Sequence, residues 1–127
     1  MSRNAFTVAL VAGLLATAPA MAHGLPQGPH GGQQLHIKGY TMEFVEKTVG
    51  QQGQMAIYLS RDGHATTPDQ VALLVTAADG DKDRVKTTLA GDRFTASDDL
   101  EDAGSYTARI QAKVETTYVV GRFRFVR

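Results

Sequence analysis

The chain has 127 residues, with 13 Lys and Arg against 13 Asp and Glu, and contains no cysteine. The absence of cysteine excludes disulfides and thiolate metal sites, so any bound metal must be held by nitrogen, oxygen or thioether ligands. A net charge near zero predicts no basic stripe for nucleic acid phosphates and no polybasic patch for anionic lipids.

The first residues have the layout of a secretory signal peptide. Arg3 supplies one positive charge, a mostly apolar run extends from Ala5 to Ala16, and small residues surround Pro19. The apolar run is too short to span a membrane. Cleavage fits after Ala20 or after Ala22, and we favour the second because Pro19 then ends the signal helix shortly before the cut. The pattern predicts export to the periplasm and no membrane insertion once the signal is removed.

A segment rich in glycine, proline and histidine follows the predicted signal. Residues 23–36 read HGLPQGPHGGQQLH and include three of the four histidines of the chain. Imidazole is the commonest metal ligand in proteins and suits copper, zinc and nickel. A flexible tether lets several imidazoles converge, so the segment predicts a transition-metal site.

The rest of the chain breaks into short runs of alternating apolar residues, separated by Gly and Asp turns. These runs cover residues 40–44, 55–59, 71–77, 85–89, 94–96, 106–112 and 119–125. Period-two alternation with turns roughly every eight to twelve residues predicts an all-β fold, an immunoglobulin-like or Greek-key β-sandwich of about seven strands. A small closed barrel is the alternative. The predicted organisation is a signal peptide at 1–22, a tether at 23–36 and a β-sandwich domain at 37–127.

Three histidines and one glutamate are the predicted metal ligands. His23 adds the α-amino group to its imidazole if cleavage follows Ala22, and His30 is flanked by residues that do not fill a core. His36 and Glu43 are predicted to point outward from their strands, with Glu43 either an oxygen ligand or a hydrogen-bond partner of an imidazole. Copper is the first choice of metal, with zinc or nickel as alternatives, because imidazole suits all three.

Other side chains are predicted to be structural. Met42 and Met55 alternate with polar residues and are expected in the core, with thioether ligation of Cu(I) as the alternative. His64 follows an Asp-Gly pair and is expected on the surface. The sequence has no nucleophile elbow, no phosphate-binding loop and no His-Glu-x-x-His pair, so no enzymatic activity is predicted.

Three motifs add a family resemblance. GPHGG at 28–32 is followed by YTMEFV at 40–45 and by IYLSRDG at 57–63. This succession resembles small exported proteins found near heavy-metal efflux genes and the amino-terminal region of periplasmic adaptors of cation efflux pumps. The resemblance implies a periplasmic β-sandwich that handles copper, zinc, cobalt or nickel, with His30 and Glu43 at its site. The architecture is also similar to CopC-type copper carriers, which have a mature amino-terminal histidine on a Greek-key sandwich.

These features predict a periplasmic transition-metal-binding protein that buffers, delivers or senses metal in homeostasis or resistance. Its expected partners are the metal ion and a cation-efflux complex or envelope protein. The alternative is a non-catalytic interaction or structural module that docks on such a complex through a sheet edge, with the histidines incidental.

Overall fold

The structure, a computed structural model, describes residues 25–127. The predicted signal peptide and His23 therefore lie outside the described residues. No helix long and apolar enough to cross a membrane occurs in this range. The elements are ten strands: β1 (Gln33–Ile37), β2 (Tyr40–Val49), β3 (Gln52–Arg61), β4 (His64–Ala65), β5 (Gln70–Ala77), β6 (Lys82–Val85), β7 (Thr88–Ala90), β8 (Arg93–Asp99), β9 (Ser105–Val114) and β10 (Thr117–Val126).

The strands form two antiparallel sheets with the core between them. The larger sheet has the order β1-β2-β3-β8-β7, and β4 pairs with the end of β3. The smaller sheet has the order β10-β9-β5-β6. The predicted all-β sandwich is therefore confirmed. Its strands outnumber the expected seven because β1 and β4 add two and one predicted strand is divided.

That divided strand is the one predicted at 85–89, and the prediction of a single strand there is wrong. β6 ends at Val85 and β7 begins at Thr88. β6 pairs with β5 in the smaller sheet, whereas β7 pairs with β8 in the larger one. The chain therefore crosses between sheets at Lys86 and Thr87, and Leu89 is exposed instead of facing the core.

Alternating positions of both sheets supply the core. Its centre is aromatic: the ring centroids of Phe44 and Phe123 are 5.3 Å apart, and those of Tyr106 and Phe125 are 5.5 Å apart. Both methionines expected in the core are buried there. The buried apolar residues are Tyr40, Met42, Phe44, Met55, Ile57, Leu59, Leu73, Val75, Phe94, Leu100, Tyr106, Ala108, Ile110, Ala112, Val119, Phe123 and Phe125.

Tyr106, at the start of β9, forms a tyrosine corner. Its hydroxyl donates a hydrogen bond of 2.6 Å to the backbone carbonyl of Asp102, four residues upstream. A buried tyrosine bonded in this way is a recurring feature of Greek-key sandwiches with immunoglobulin-like architecture. The contact fixes the turn that leads into β9.

Side chains of β1 and of the turn that follows it bond to β10 along one side of the sandwich. The side-chain amide of Gln33 donates a hydrogen bond of 2.7 Å to the backbone carbonyl of Arg124. The ammonium group of Lys38 donates one of 3.0 Å to the backbone carbonyl of Tyr118. β1 and β10 are edge strands of different sheets, so these bonds connect the two sheets at their edges.

A pair of carboxyl groups joins the sheets along the opposite side. Asp83 of β6 faces Asp98 of β8, and Asp98 is only 8% exposed. Burial raises the pKa of Asp98 to about 7, and the hydrogen bond and repulsion from Asp83 act in the same direction. A carboxyl in this position favours its protonated form because its charge would be poorly solvated.

The segment ahead of the sandwich is shorter than the predicted tether. Residues 33–36 belong to β1, which pairs with β2 so that Gln33 lies opposite Phe44. Leu35 and Ile37 pack against the core while His36 is exposed, as the alternation predicts. Residues 25–32 are the only described residues ahead of β1, and they lead to the site described next.

Candidate functional site

Glu43 lies within β2 on the face that points away from the core. Its neighbours Met42 and Phe44 fill the core, so strand alternation directs the carboxylate outward. A carboxylate in such a position is ordinarily exposed, yet only 3% of Glu43 is exposed. The GPHGG segment covers it.

Three N–H groups of that segment converge on the carboxylate. The backbone N–H groups of His30 and Gly32 each donate to Oε2 of Glu43 at 2.9 Å. The Nδ1 atom of His30 lies 2.8 Å from Oε1. Because an ionised carboxylate only accepts, Nδ1 carries the proton, and in the neutral imidazole Nε2 carries the lone pair. Within residues 25–127, Nε2 makes no hydrogen bond.

The ring of Tyr58 fixes the plane of the His30 imidazole. The two rings stack with centroids 3.6 Å apart and planes 5° from parallel. Tyr58 lies directly opposite Glu43 in the register of β2 and β3, so both side chains leave the sheet on the same face. The carboxylate sets the direction of the imidazole and the phenol sets its plane.

Two glycines allow the segment to approach the sheet this closely. A Cβ atom on Gly28 would overlap the carboxylate of Glu43, and one on Gly32 would overlap the backbone carbonyl of Phe44. The segment also closes on itself, since the N–H of Gly28 donates to the carbonyl of Gly32 at 2.8 Å. Gly31 has a φ of 83°, which favours glycine. The GPHGG motif is thus a turn shaped to fit over one buried carboxylate.

A cleft of about 370 Å³ opens beside the His30 ring. Polar side chains from three strands line it together with the ring, and Asp92 brings a carboxylate from the turn before β8. The polar lining comprises Gln34, Thr41, Glu43, Tyr58, Ser60 and Asp92. A space of this size and polarity admits a small polar ligand or a hydrated metal ion.

The structure brings two of the four predicted ligands together. His30 and Glu43 are in contact, whereas the Nδ1 atom of His36 lies 2.9 Å from the Thr41 hydroxyl on exposed surface. In the part of the chain that the structure describes, no three His, Asp or Glu side chains form a group able to hold a metal ion. His23 lies outside that part. Both oxygens of Glu43 already accept hydrogen bonds, and Oε1 lies within hydrogen-bond distance of the His30 imidazole.

Sequence reasoning misses Tyr58 and the burial of Glu43. Tyr58 alternates with the core residues Ile57 and Leu59, so the pattern already places it on the outer face of β3. The pairing of β2 with β3 then brings it beside Glu43. That hairpin register is the signal that could have added the tyrosine to the site.

Comparison with known proteins bears on the fold. No protein-family model and no curated protein matches this sequence. Among solved structures, the chain is similar to the crystal structure of a DUF4426 family protein from Pseudomonas aeruginosa PAO1, with a TM-score of 0.61. The likeness covers 75% of this chain and 94% of the other at 10% sequence identity. The two proteins share a β-fold.

Proposed function

We propose that this chain is a periplasmic protein that binds a transition-metal ion through His30, and that it buffers, delivers or senses the metal. One observation carries the proposal: the Nδ1 atom of His30 lies 2.8 Å from the buried carboxylate of Glu43. A neutral imidazole that donates from Nδ1 keeps its lone pair on Nε2, where a metal would bind. Metal-ligating histidines almost always donate their other ring N–H to a carboxylate, a backbone carbonyl or a water, which fixes the tautomer and raises the basicity of the ligand.

In this proposal Glu43 orients the imidazole, and other groups complete the metal site. His23 precedes Leu25 by two residues, and Leu25 packs against the core. His23 is therefore close in sequence to the anchored start of the described chain and is one proposed ligand. His36 lies on the same outer face of the larger sheet as Thr41 and is the other proposed ligand. Copper is the first choice of metal, followed by zinc or nickel.

The family resemblance supports the same reading. Its motif residues, GPHGG at 28–32 and Glu43, are the residues that meet in the hydrogen-bonded turn. The signal-like amino terminus supports a periplasmic location. The tyrosine corner at Tyr106 suits the Greek-key architecture of CopC-type copper carriers. A cation-efflux complex is the proposed recipient of the metal.

A second candidate is a non-catalytic module in which the His30 contact holds the amino-terminal segment in place. The observation that favours it is that Glu43 is fully hydrogen-bonded by protein N–H groups, with no metal required. The exposed edges and faces of the sheets would then serve a protein of an efflux or envelope complex.

Native mass spectrometry of the tag-free protein with one equivalent each of copper, zinc and nickel separates the two candidates. We expect one copper per chain, and we expect His30→Ala to lose it. His64→Ala is the matched control, because His64 is an exposed histidine of β4 that does not line the cleft. Equal uptake by both variants, or none above the adducts of an unrelated protein, would reject the metal site and favour the module. The mass also reports whether the chain begins at His23.

A further inference from the structure

The outer face of the smaller sheet is uniformly cationic. Directly opposed residues of antiparallel strands point to the same face, so the register defines which side chains share it. Strands β5, β6, β9 and β10 place no Asp or Glu on this face. Its charged residues are Lys82, Arg84, Arg109, Lys113, Arg122 and Arg124.

Three of the arginines form one row across the sheet. Arg122 lies opposite Arg109, Arg109 lies opposite Leu74, and Leu74 lies opposite Arg84. Neighbouring strands are about 4.8 Å apart, so the row spans about 14 Å from β10 to β6. Arg124 extends the charge along β10. The guanidinium groups therefore form an array on a broad, open surface.

No carboxylate of the described chain neutralises this array. Among residues 25–127 no Lys or Arg side chain forms an ion pair with a carboxylate, and the one His–carboxylate contact joins His30 and Glu43. Asp83 lies between Lys82 and Arg84 in sequence but faces Asp98 on the other side of its strand. Most carboxylates are instead gathered around a cleft of about 300 Å³ at the β6 and β8 side, and Lys82 lies at its border. The acidic residues of this cleft are Asp79, Asp81, Asp83, Asp98, Asp99, Glu101 and Asp102.

The cationic face therefore differs from the expectation of no polybasic patch. The near-zero net charge hides it, because the balancing acids lie along a different side of the molecule. The five cations other than Lys82 lie away from these acids and repel one another, so the arrangement is unfavourable in the isolated molecule and is relieved by an anionic partner.

Exposed apolar side chains lie among the cations. Tyr118 is 46% exposed and Val126 is 69% exposed, and both belong to the outward positions of β10. Leu74 and Val120 are half-buried on the same face. Arginines mixed with an aromatic and aliphatic residues are the composition of surfaces that rest at the headgroup level of a bilayer.

We propose that this face binds the surface of a membrane that contains anionic phospholipid. Guanidinium groups match lipid phosphates in geometry and charge, and a broad sheet face presents all six cations to a plane at once. Tyr118 and Val126 enter the headgroup region beside them. The chain is then held peripherally at the membrane, and this binding does not depend on the proposed metal site.

Two other anionic partners fit the face less well. Single-stranded nucleic acid is bound through aromatic platforms, and Tyr118 is the one aromatic residue among the outward positions of the four strands. A second copy of the chain offers its carboxylates around a concave cleft, which a broad sheet face cannot enter. Phospholipid headgroups present their phosphates in a plane and therefore match the array.

Vesicle co-sedimentation tests the proposal, with chelator present so that metal plays no part. Vesicles are phosphatidylcholine alone or phosphatidylcholine with 30% phosphatidylglycerol. We expect binding to the anionic vesicles alone, weakening as salt rises. The double variant Arg122→Gln/Arg124→Gln should lower the partition coefficient about 30-fold, since each cation near an anionic surface contributes about fivefold. Lys82→Gln/Arg84→Gln should produce a similar loss from the other edge of the sheet.

The matched control is Lys47→Gln/Arg93→Gln, which removes two positive charges from the larger sheet. Lys47 and Arg93 line a shallow depression on that sheet's surface, so this variant should bind the vesicles as the wild type does. Equal losses in all three double variants, or no binding to anionic vesicles, would overturn the proposal. Displacement by duplex DNA at lower phosphate concentration would assign the face to nucleic acid instead. A dimer that dissociates in Arg122→Gln/Arg124→Gln would assign it to a second copy.

Discussion

The backbone N–H and the ring Nδ1 of His30 reach different oxygens of the same Glu43 carboxylate. The distances are 2.9 Å to Oε2 and 2.8 Å to Oε1. One carboxylate therefore positions both the main chain and the side chain of a single histidine. Because Gly32 donates a third hydrogen bond, the residues that fix the imidazole also fix the turn that carries it.

Glu43→Gln should weaken this contact and destabilise the fold. The amide oxygen can still accept from both backbone N–H groups, but the bonds are no longer charge-assisted, and their weakening costs about 1 to 3 kcal/mol in the free energy of unfolding. The amide –NH2 then faces Nδ1 of His30 and favours the tautomer with the proton on Nε2. Under the proposed function, metal affinity should also fall about 10- to 100-fold. Chemical denaturation and calorimetric titration measure the two effects. Glu46→Gln, on the same strand but outside the turn, is the control, and an equal loss there would contradict the assigned role.

Gly28→Ala should detach the GPHGG turn while leaving the two sheets folded. The new methyl group overlaps the Glu43 carboxylate, so the turn must move away. Hydrogen exchange at the amides of His30 and Gly32 should then accelerate at least tenfold, because both lose their acceptor. Gly50→Ala strains a backbone with φ 63° in open space and serves as the control. Unchanged exchange in Gly28→Ala would contradict the close fit of the turn.

Tyr58→Leu should loosen the imidazole without removing it. The parallel stack is lost, and aromatic pairs of this kind contribute about 0.5 to 1.5 kcal/mol beyond the area that they bury. Denaturant unfolding reports the change in stability, and the NMR line widths of the His30 ring protons report its motion. Tyr118→Leu alters an exposed tyrosine of the other sheet, so its effect on the His30 signals should be absent.

Asp98 should make the protein less stable as pH rises from about 4 to about 7. Its pKa increases from 3.8 to about 7 on folding, so the folded chain holds an extra proton between these values. The stabilisation is complete below the lower value and is lost as pH rises through the higher one, with a slope of at most about 1.4 kcal/mol per pH unit. Asp98→Asn should flatten this slope in melts taken from pH 4 to 8. Asp62→Asn, in the turn before β4, should retain it, and an unchanged slope in Asp98→Asn would refute the assignment.

Strand periodicity predicts which side chains of a strand face the core and which face the surface. It places Met42 and Met55 in the core and His36 on the surface, and all three predictions are confirmed. It also directs Glu43 to the outer face but carries no information on what covers that face. The covering turn depends on contacts between residues thirteen positions apart, so the burial of Glu43 appears only in three dimensions.

Charge segregation escapes the sequence for a related reason. Arg109 and Arg122 are thirteen positions apart in the chain, and the residues directly before and after each of them are uncharged. They become neighbours because β9 and β10 pair in one register, and a shift by one residue would separate them. Asp83 likewise reads as one of several surface acids until β6 and β8 bring it to Asp98. Patterns within one strand cannot reveal groups that are assembled across several.

The crossing at Lys86 and Thr87 limits when the molecule can fold as the chain emerges. Each sheet is assembled from two separate stretches of sequence, and β9 lies between β5 and β10 in the smaller sheet. When the amino terminus emerges first, the β2 and β3 hairpin can form early. β5 must wait for β9, the strand beside it at residues 105–114. The core therefore closes only when nearly the whole chain has emerged, so this sandwich folds late relative to its synthesis.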